Sequence, residues 1–84
     1  MKVKVIYTEE FKRDVRKVKD KKIQDRIKKI VKKVKDNPEV GKPLRYDLFG
    51  LRSIQIPPFR ILYEFREDLI ILHKFEHRKE VYTK

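Results

Sequence analysis

Arg60, Arg78, His77 and Tyr82 are the side chains best suited to chemistry, with Arg52, Ser53 and Gln55 on a neighbouring segment. Together they offer guanidinium, imidazole and phenol groups, with no carboxylate pair and no set of metal ligands. That combination suits cleavage of RNA by its own 2′-hydroxyl. The reaction needs a base for the 2′-OH, an acid for the leaving 5′-oxygen, and positive charge on the phosphorane. Arginine stabilises the developing phosphoryl charge, His or Tyr can move protons, and aromatic rings can stack on an unpaired base. The chain has no Cys and only two His, His73 and His77. Neither a metal site nor a cofactor is therefore expected.

Each of these residues could equally be structural. Arg60 at a strand start suits pairing with an acidic side chain as well as it suits a phosphate. His73 lies inside an apolar run and reads as a hydrogen-bonded structural residue. His77 sits in a polar segment and is the better chemical candidate. Tyr82 could pack on an edge strand. Tyr63 alternates with Ile61 and Phe65 and reads as core.

The elements that must position these groups follow from periodicity. Residues 2 to 7 alternate and predict a strand with Val3, Val5 and Tyr7 on one face. Thr8 is a candidate N-cap, with Glu9 and Glu10 complementing the dipole of the first turn. Phe11, Val15 and Val18 make one helical stripe; Ile23, Ile27, Ile30, Val31 and Val34 make a second. Asn37-Pro38 ends the second helix. Residues 38 to 50 hold two Pro and both Gly, as a connection should. Leu44, Leu48 and Phe49 are expected to tuck back onto the core.

From Leu51 the pattern is one of strands. Segments 51 to 56, 60 to 66 and 69 to 76 are separated by Pro57-Pro58 and by a tight turn at Glu67-Asp68, and 77 to 84 could add a short edge strand. Alternation puts Ile54 and Ile56 on one face and Ser53 and Gln55 on the other. The order β-α-α-β-β-β predicts a single α+β domain over 1–84. A helical hairpin would cover one face of a mostly antiparallel sheet. The other sheet face should gather Arg60, Arg52, Ser53, Gln55, Arg78, His77 and Tyr82.

Twenty-four Lys and Arg stand against thirteen Asp and Glu, a net charge of +11. Residues 1–37 carry fifteen basic and six acidic side chains, so the excess lies mainly in the helical half. That sign favours nucleic acid, a ribosome or an acidic protein as partner. A lysine- and glutamate-rich solvated surface of a heat-adapted protein would explain the charged content but not the imbalance. The longest aliphatic run, Leu69 to Leu72, is far short of a membrane span, and the N-terminus lacks the apolar block of a secretory signal. A soluble cytoplasmic protein with no membrane partner is expected.

Three pieces in order resemble the RelE/ParE superfamily of type II toxins. They are V-K-V-I-Y-T-E-E-F-K-R-D with the Lys-rich helices after it, K-P-L-R-Y-D-L-F-G-L-R-S-I-Q-I-P-P-F-R-I-L-Y-E, and the closing H-R-K-E-V-Y. The resemblance spans nearly the whole chain. It implies a compact fold similar to microbial ribonucleases, and a toxin that cleaves mRNA on the ribosome and so inhibits translation. It also implies a small acidic antitoxin as partner. Arg60 would stabilise phosphate charge, and Arg78 would make a second phosphate contact or assist proton transfer. Tyr82 would orient the 2′-OH or stack on a base, and His77 would act as acid or base. Arg45, Arg52, Ser53 and Gln55 would contact RNA. RelE nucleases carry two cations on the strand before the hairpin; Ser53 and Gln55 stand there instead. That departure keeps two alternatives open: a ParE-like inhibitor of DNA gyrase without chemistry of its own, and an inactive relative that only binds an antitoxin.

Overall fold

The computed structural model describes residues 3–78. The elements are β1 (Lys4–Tyr7), α1 (Glu9–Arg16), α2 (Lys21–Asp36), β2 (Lys42–Pro43), a 3-10 turn (Tyr46–Leu48), β3 (Arg52–Ile56), β4 (Phe59–Arg66) and β5 (Leu69–His77). They form a five-stranded sheet in the order β1-β5-β4-β3-β2. β1 runs parallel to β5, and every other neighbouring pair is antiparallel. This is the expected α+β arrangement. The closing strand expected over 77–84 begins with His77, the last residue of β5; Tyr82 lies outside the described residues. No helix among the described residues is long and apolar enough to cross a membrane.

Both helices start where short polar side chains can take up unpaired N–H groups. The Thr8 hydroxyl accepts from the Phe11 N–H at 3.1 Å. Asp20 accepts from the N–H groups of Lys22 and Ile23. α1 packs chiefly on β5 and α2 on β3. Gln24 ties the helices at their junction, donating to the carbonyls of Val15 and Val18. The core between helices and sheet is built from Phe11, Ile27, Val31 and Val34 against Ile56, Ile61, Tyr63, Ile70, Leu72 and Phe75.

The connection after α2 is held by two side chains from the sheet. Tyr63 is wholly buried. Its hydroxyl donates to the Pro38 carbonyl at 2.7 Å and accepts the Gly41 N–H at 2.8 Å. Burial lifts its pKa above the ordinary tyrosine range, against the lowering effects of the Gly41 N–H and the Arg52 charge, so it stays a donor. The Arg52 guanidinium donates to the Glu39 and Gly41 carbonyls at 3.1 and 2.8 Å. Gly41 has to be glycine here, because a Cβ would lie 2.6 Å from the Tyr63 hydroxyl oxygen. This anchoring brings Lys42 and Pro43 alongside Ser53 and Arg52 as a fifth strand, where the sequence predicts only a loop.

One loop expectation is corrected. Leu44 and Leu48 are partly covered, but Phe49 is 84% exposed and Tyr46 90%. The 3-10 turn gives the backbone a bond from the Phe49 N–H to the Tyr46 carbonyl while leaving both rings outside.

Tyr63→Phe strands the buried Gly41 N–H and the Pro38 carbonyl, and should cost about 1–3 kcal/mol in urea unfolding. A stability within 0.3 kcal/mol or so of the parent would contradict the anchoring role.

Candidate functional site

β4 is central, so its alternation decides which side chains face the helices and which face away. Ile61 and Tyr63 join the core, which sends Arg60 and Leu62 to the opposite sheet face. Arg60 pairs in register with Gln55 on β3 and Glu76 on β5, and Leu62 with Ser53 and Lys74. Two rows therefore cross this face: Gln55, Arg60, Glu76, and beside them Lys42, Ser53, Leu62, Lys74.

Arg60 is only 8% exposed. Its Nε donates to Glu76 Oε2 at 3.0 Å. That bond engages one edge of the guanidinium and fixes its plane. An arginine so held presents its donors without losing side-chain freedom on binding. Glu76 Oε1 lies 4.0 Å from Lys74 Nζ, which also approaches Glu10 at 3.3 Å. Among the described residues no buried side-chain N or O atom is left without a partner.

β5 carries an irregularity here. Leu62 pairs with Lys74 and Tyr63 with Leu72, leaving His73 as an extra residue opposite none. This β-bulge reverses the alternation of the rest of β5. Phe75 consequently turns into the core, and Lys74 and Glu76 turn away from it. Thr8 bonds to the Leu72 and His73 carbonyls at 2.8 and 3.2 Å, and Asp14 accepts the Phe75 N–H at 3.2 Å. His73 Nε2 lies 3.1 Å from Glu64 Oε1, the hydrogen-bonded structural placement the sequence predicts.

The bulge divides the residues that the sequence grouped together. Arg60, Ser53 and Gln55 do share the face away from the helices. His77 does not: it pairs in register with Phe59, and their rings meet edge to face at 5.3 Å on the helix side. There it borders a cavity of about 620 Å³ with Phe75, Pro58 and residues of the α1–α2 junction. Arg52 also points to the helix side, opposite Tyr63, where its guanidinium holds loop carbonyls. Strand alternation in β3 requires this, since Arg52 neighbours Ser53. Arg45 is exposed at the start of the 3-10 turn. Arg78 is exposed just beyond β5, with its N–H donating to the Pro58 carbonyl.

Glu76 is the site residue that the sequence reading passes over. A lone glutamate near a strand end carries no signal of its own. The bulge that brings it beside Arg60 is not visible in a pattern of apolar residues. Among the described residues no group of three His, Cys, Asp or Glu could hold a metal ion.

A family model described as the ParE toxin of type II toxin–antitoxin system, parDE, matches residues 5–82. The chain belongs to this toxin family. No curated protein sequence matches it. Among solved structures, the toxin is similar to a chain of the Mycobacterium tuberculosis RelBE2 toxin–antitoxin complex. Identity is 26%, over 93% of this chain and all of that one, with a TM-score of 0.81. A chain of the Methanococcus jannaschii RelB–RelE complex is 22% identical over 92% of this chain and 94% of that one, TM-score 0.71. Free Escherichia coli RelE bearing two arginine-to-alanine substitutions is 16% identical over 99% and 93%, TM-score 0.76. The latter two likenesses are of fold. The superfamily and architecture expected from the sequence are those of the toxin.

Next to the site, Glu64 accepts hydrogen bonds from His73 and Arg66, which hold its carboxyl below the ordinary range despite the opposing effect of burial. The folded value thus lies below the unfolded one. Its contribution to stability is present above the ordinary carboxylate range and is lost as pH falls through the lowered value. Glu64→Gln should flatten the acid limb of a stability-versus-pH curve below about pH 4.3. Parallel acid limbs in the two proteins would contradict the linkage.

Proposed function

We propose that the toxin is a ribosome-dependent endoribonuclease that cuts mRNA by attack of the substrate's own 2′-hydroxyl and so arrests translation in the cytoplasm. The observation that carries this is Arg60, fixed in the middle of the sheet face away from the helices by Glu76. A phosphate on this face meets a guanidinium that needs no reorganisation. Glu76 is the carboxylate in contact with Arg60, and it supplies a proton acceptor that Ser53 and Gln55 cannot. Arg78, at the exposed end of β5, adds a second cation for the scissile phosphate. Tyr82 stacks on a base or orients the 2′-OH. His77 takes no part, because it lies on the other face of the sheet. The basic surface of the helices, with eleven cations on α1 and α2, draws the protein to ribosomal RNA in a salt-dependent way. A cognate antitoxin neutralises it; the similar RelBE2 and RelB–RelE chains are each found in a complex with an antitoxin.

One observation favours a second reading. Glu76 offsets the charge of Arg60, and Ser53 and Gln55 are neutral, so this face is less cationic than RNA cleavage prefers. A ParE-like toxin that inhibits DNA gyrase by binding alone would not need those cations.

In a purified translation reaction, the toxin should cut mRNA at codon-fixed positions and leave free RNA nearly intact. Arg60→Lys should lower the cleavage rate by about 10²-fold or more and Glu76→Gln by a similar factor, with circular dichroism confirming the fold. Intact mRNA at every dose, with loss of gyrase supercoiling instead, would replace the first reading with the second.

A further inference from the structure

β2 covers only the first part of β3: Lys42 and Pro43 pair with Ser53 and Arg52. From Ile54 to Ile56 the outer edge of β3 has no neighbouring strand among the described residues. α2 packs on β3, and one stripe of it lies beside this open edge. Arg26, Lys29 and Ile30, at three- and four-residue spacing, line a pocket of about 270 Å³ there with Gln55, Ile56 and Pro57. Among the described residues no acidic side chain lines it. Arg26, Lys29 and Gln55 are exposed, Ile30 is half-buried and Ile56 is buried. Gln55 also belongs to the row of Arg60, directly opposite it in register. The pocket therefore continues the Arg60 face around the edge of the sheet. Neighbouring strands lie about 5 Å apart, so one short stretch of an extended ligand can touch Arg60, Gln55 and the two α2 cations.

We propose that this pocket is a subsite for one nucleotide of single-stranded RNA, next to the nucleotide whose phosphate meets Arg60. This rests on the reading of the Arg60 face as an RNA-binding face. Arg26 and Lys29 hold the neighbouring phosphate. The Gln55 amide, with two donor hydrogens and an acceptor oxygen, meets the polar edge of the base. Ile30 and Pro57 lie against the flat face of that base. Three observations select this occupant. The volume falls just below the roughly 300–1,000 Å³ of ordinary ligand pockets. It takes a single base and is too small for a helix about 10 Å across. The rim is cationic, as a phosphodiester requires and an apolar ligand does not. The Arg60 face itself is short of positive charge, since Ser53 and Gln55 are neutral and Glu76 offsets Arg60. α2 thus supplies from the side the cations that β3 lacks. Arg26 and Lys29 bind and position the strand; no proton transfer is assigned to them.

The test titrates the full chain, methyl-labelled at Ile, with a short single-stranded RNA at low salt. The Ile30 and Ile56 methyl groups should shift while Ile27, which faces the space between the helices, holds still. Arg26→Gln with Lys29→Gln should weaken RNA binding about tenfold or more. The same pair should reduce the slope of log K against log salt by roughly 0.7 to 1.4, the share of one or two phosphate contacts on a single strand. Lys28→Gln with Lys32→Gln makes the same charge change on the other side of α2 and should cost far less affinity. Unmoved Ile30 and Ile56 methyl groups, or equal losses in the two double variants, would overturn the proposal. So would polyglutamate displacing the RNA from these methyl groups at matching affinity, which would give the pocket to an acidic protein instead. The ribosome assay judges the nuclease reading separately. RNA seated on Ile30 and Ile56 by a protein that leaves mRNA intact would keep the subsite and reject the nuclease.

Discussion

The bulge at His73 is the constraint on which the site depends. Up to Leu72, β5 is sandwiched between β1 and β4 and follows strict alternation. β1 ends opposite Leu72, so beyond it one edge of β5 needs other partners. Thr8 and Asp14 supply them, and Thr8 is at the same time the N-cap of α1. One threonine thus starts the helix, seats it on β5 and supports the extra residue. Without the bulge, Lys74 and Glu76 would face the core and Phe75 would face away. With it, Phe75 stacks on Phe59 at 4.7 Å inside the protein, and Glu76 reaches Arg60 outside it.

That geometry also explains how a guanidinium comes to be almost fully covered on a sheet surface. An isolated cation in such a place would be expensive, and removing one partner of a buried pair typically costs about 3–5 kcal/mol. Glu76 offsets the charge and satisfies Nε. The same contact tempers the face electrostatically. Among the described residues, Arg60, Lys74 and, at the β2 edge, Lys42 are the cations of these two rows.

Much of the fold was legible because it rests on local chemistry. Thr8 ahead of Glu9 and Glu10, Asn37 before Pro38, and the polar pair Glu67-Asp68 are short-range signals, and each marks the boundary it predicts. The stripe Ile27, Val31 and Val34 is buried as its spacing requires. What escaped depends on contacts distant in sequence. β2 exists because Tyr63 and Arg52 hold the backbone around Gly41, more than ten residues away. The bulge exists because β1 and α1 change over at Thr8. Its displacement of His77 separates two residues that simple proximity in the chain would have kept together. Phe49 escaped for another reason: aromatic character predicts burial only where the backbone turns the ring inward, and here the 3-10 turn holds it out.

The central claim is that RNA meets the Arg60 face and not the helix-side face occupied by His77. Arginine-detected ¹⁵N NMR of the full chain, titrated with a short single-stranded RNA at low salt, tests it most directly. The Arg60 Nε–H resonance should be observable because of its bond to Glu76, and should shift on RNA addition while the His77 ring signals hold still. Movement of the His77 signals with Arg60 unchanged would contradict the account.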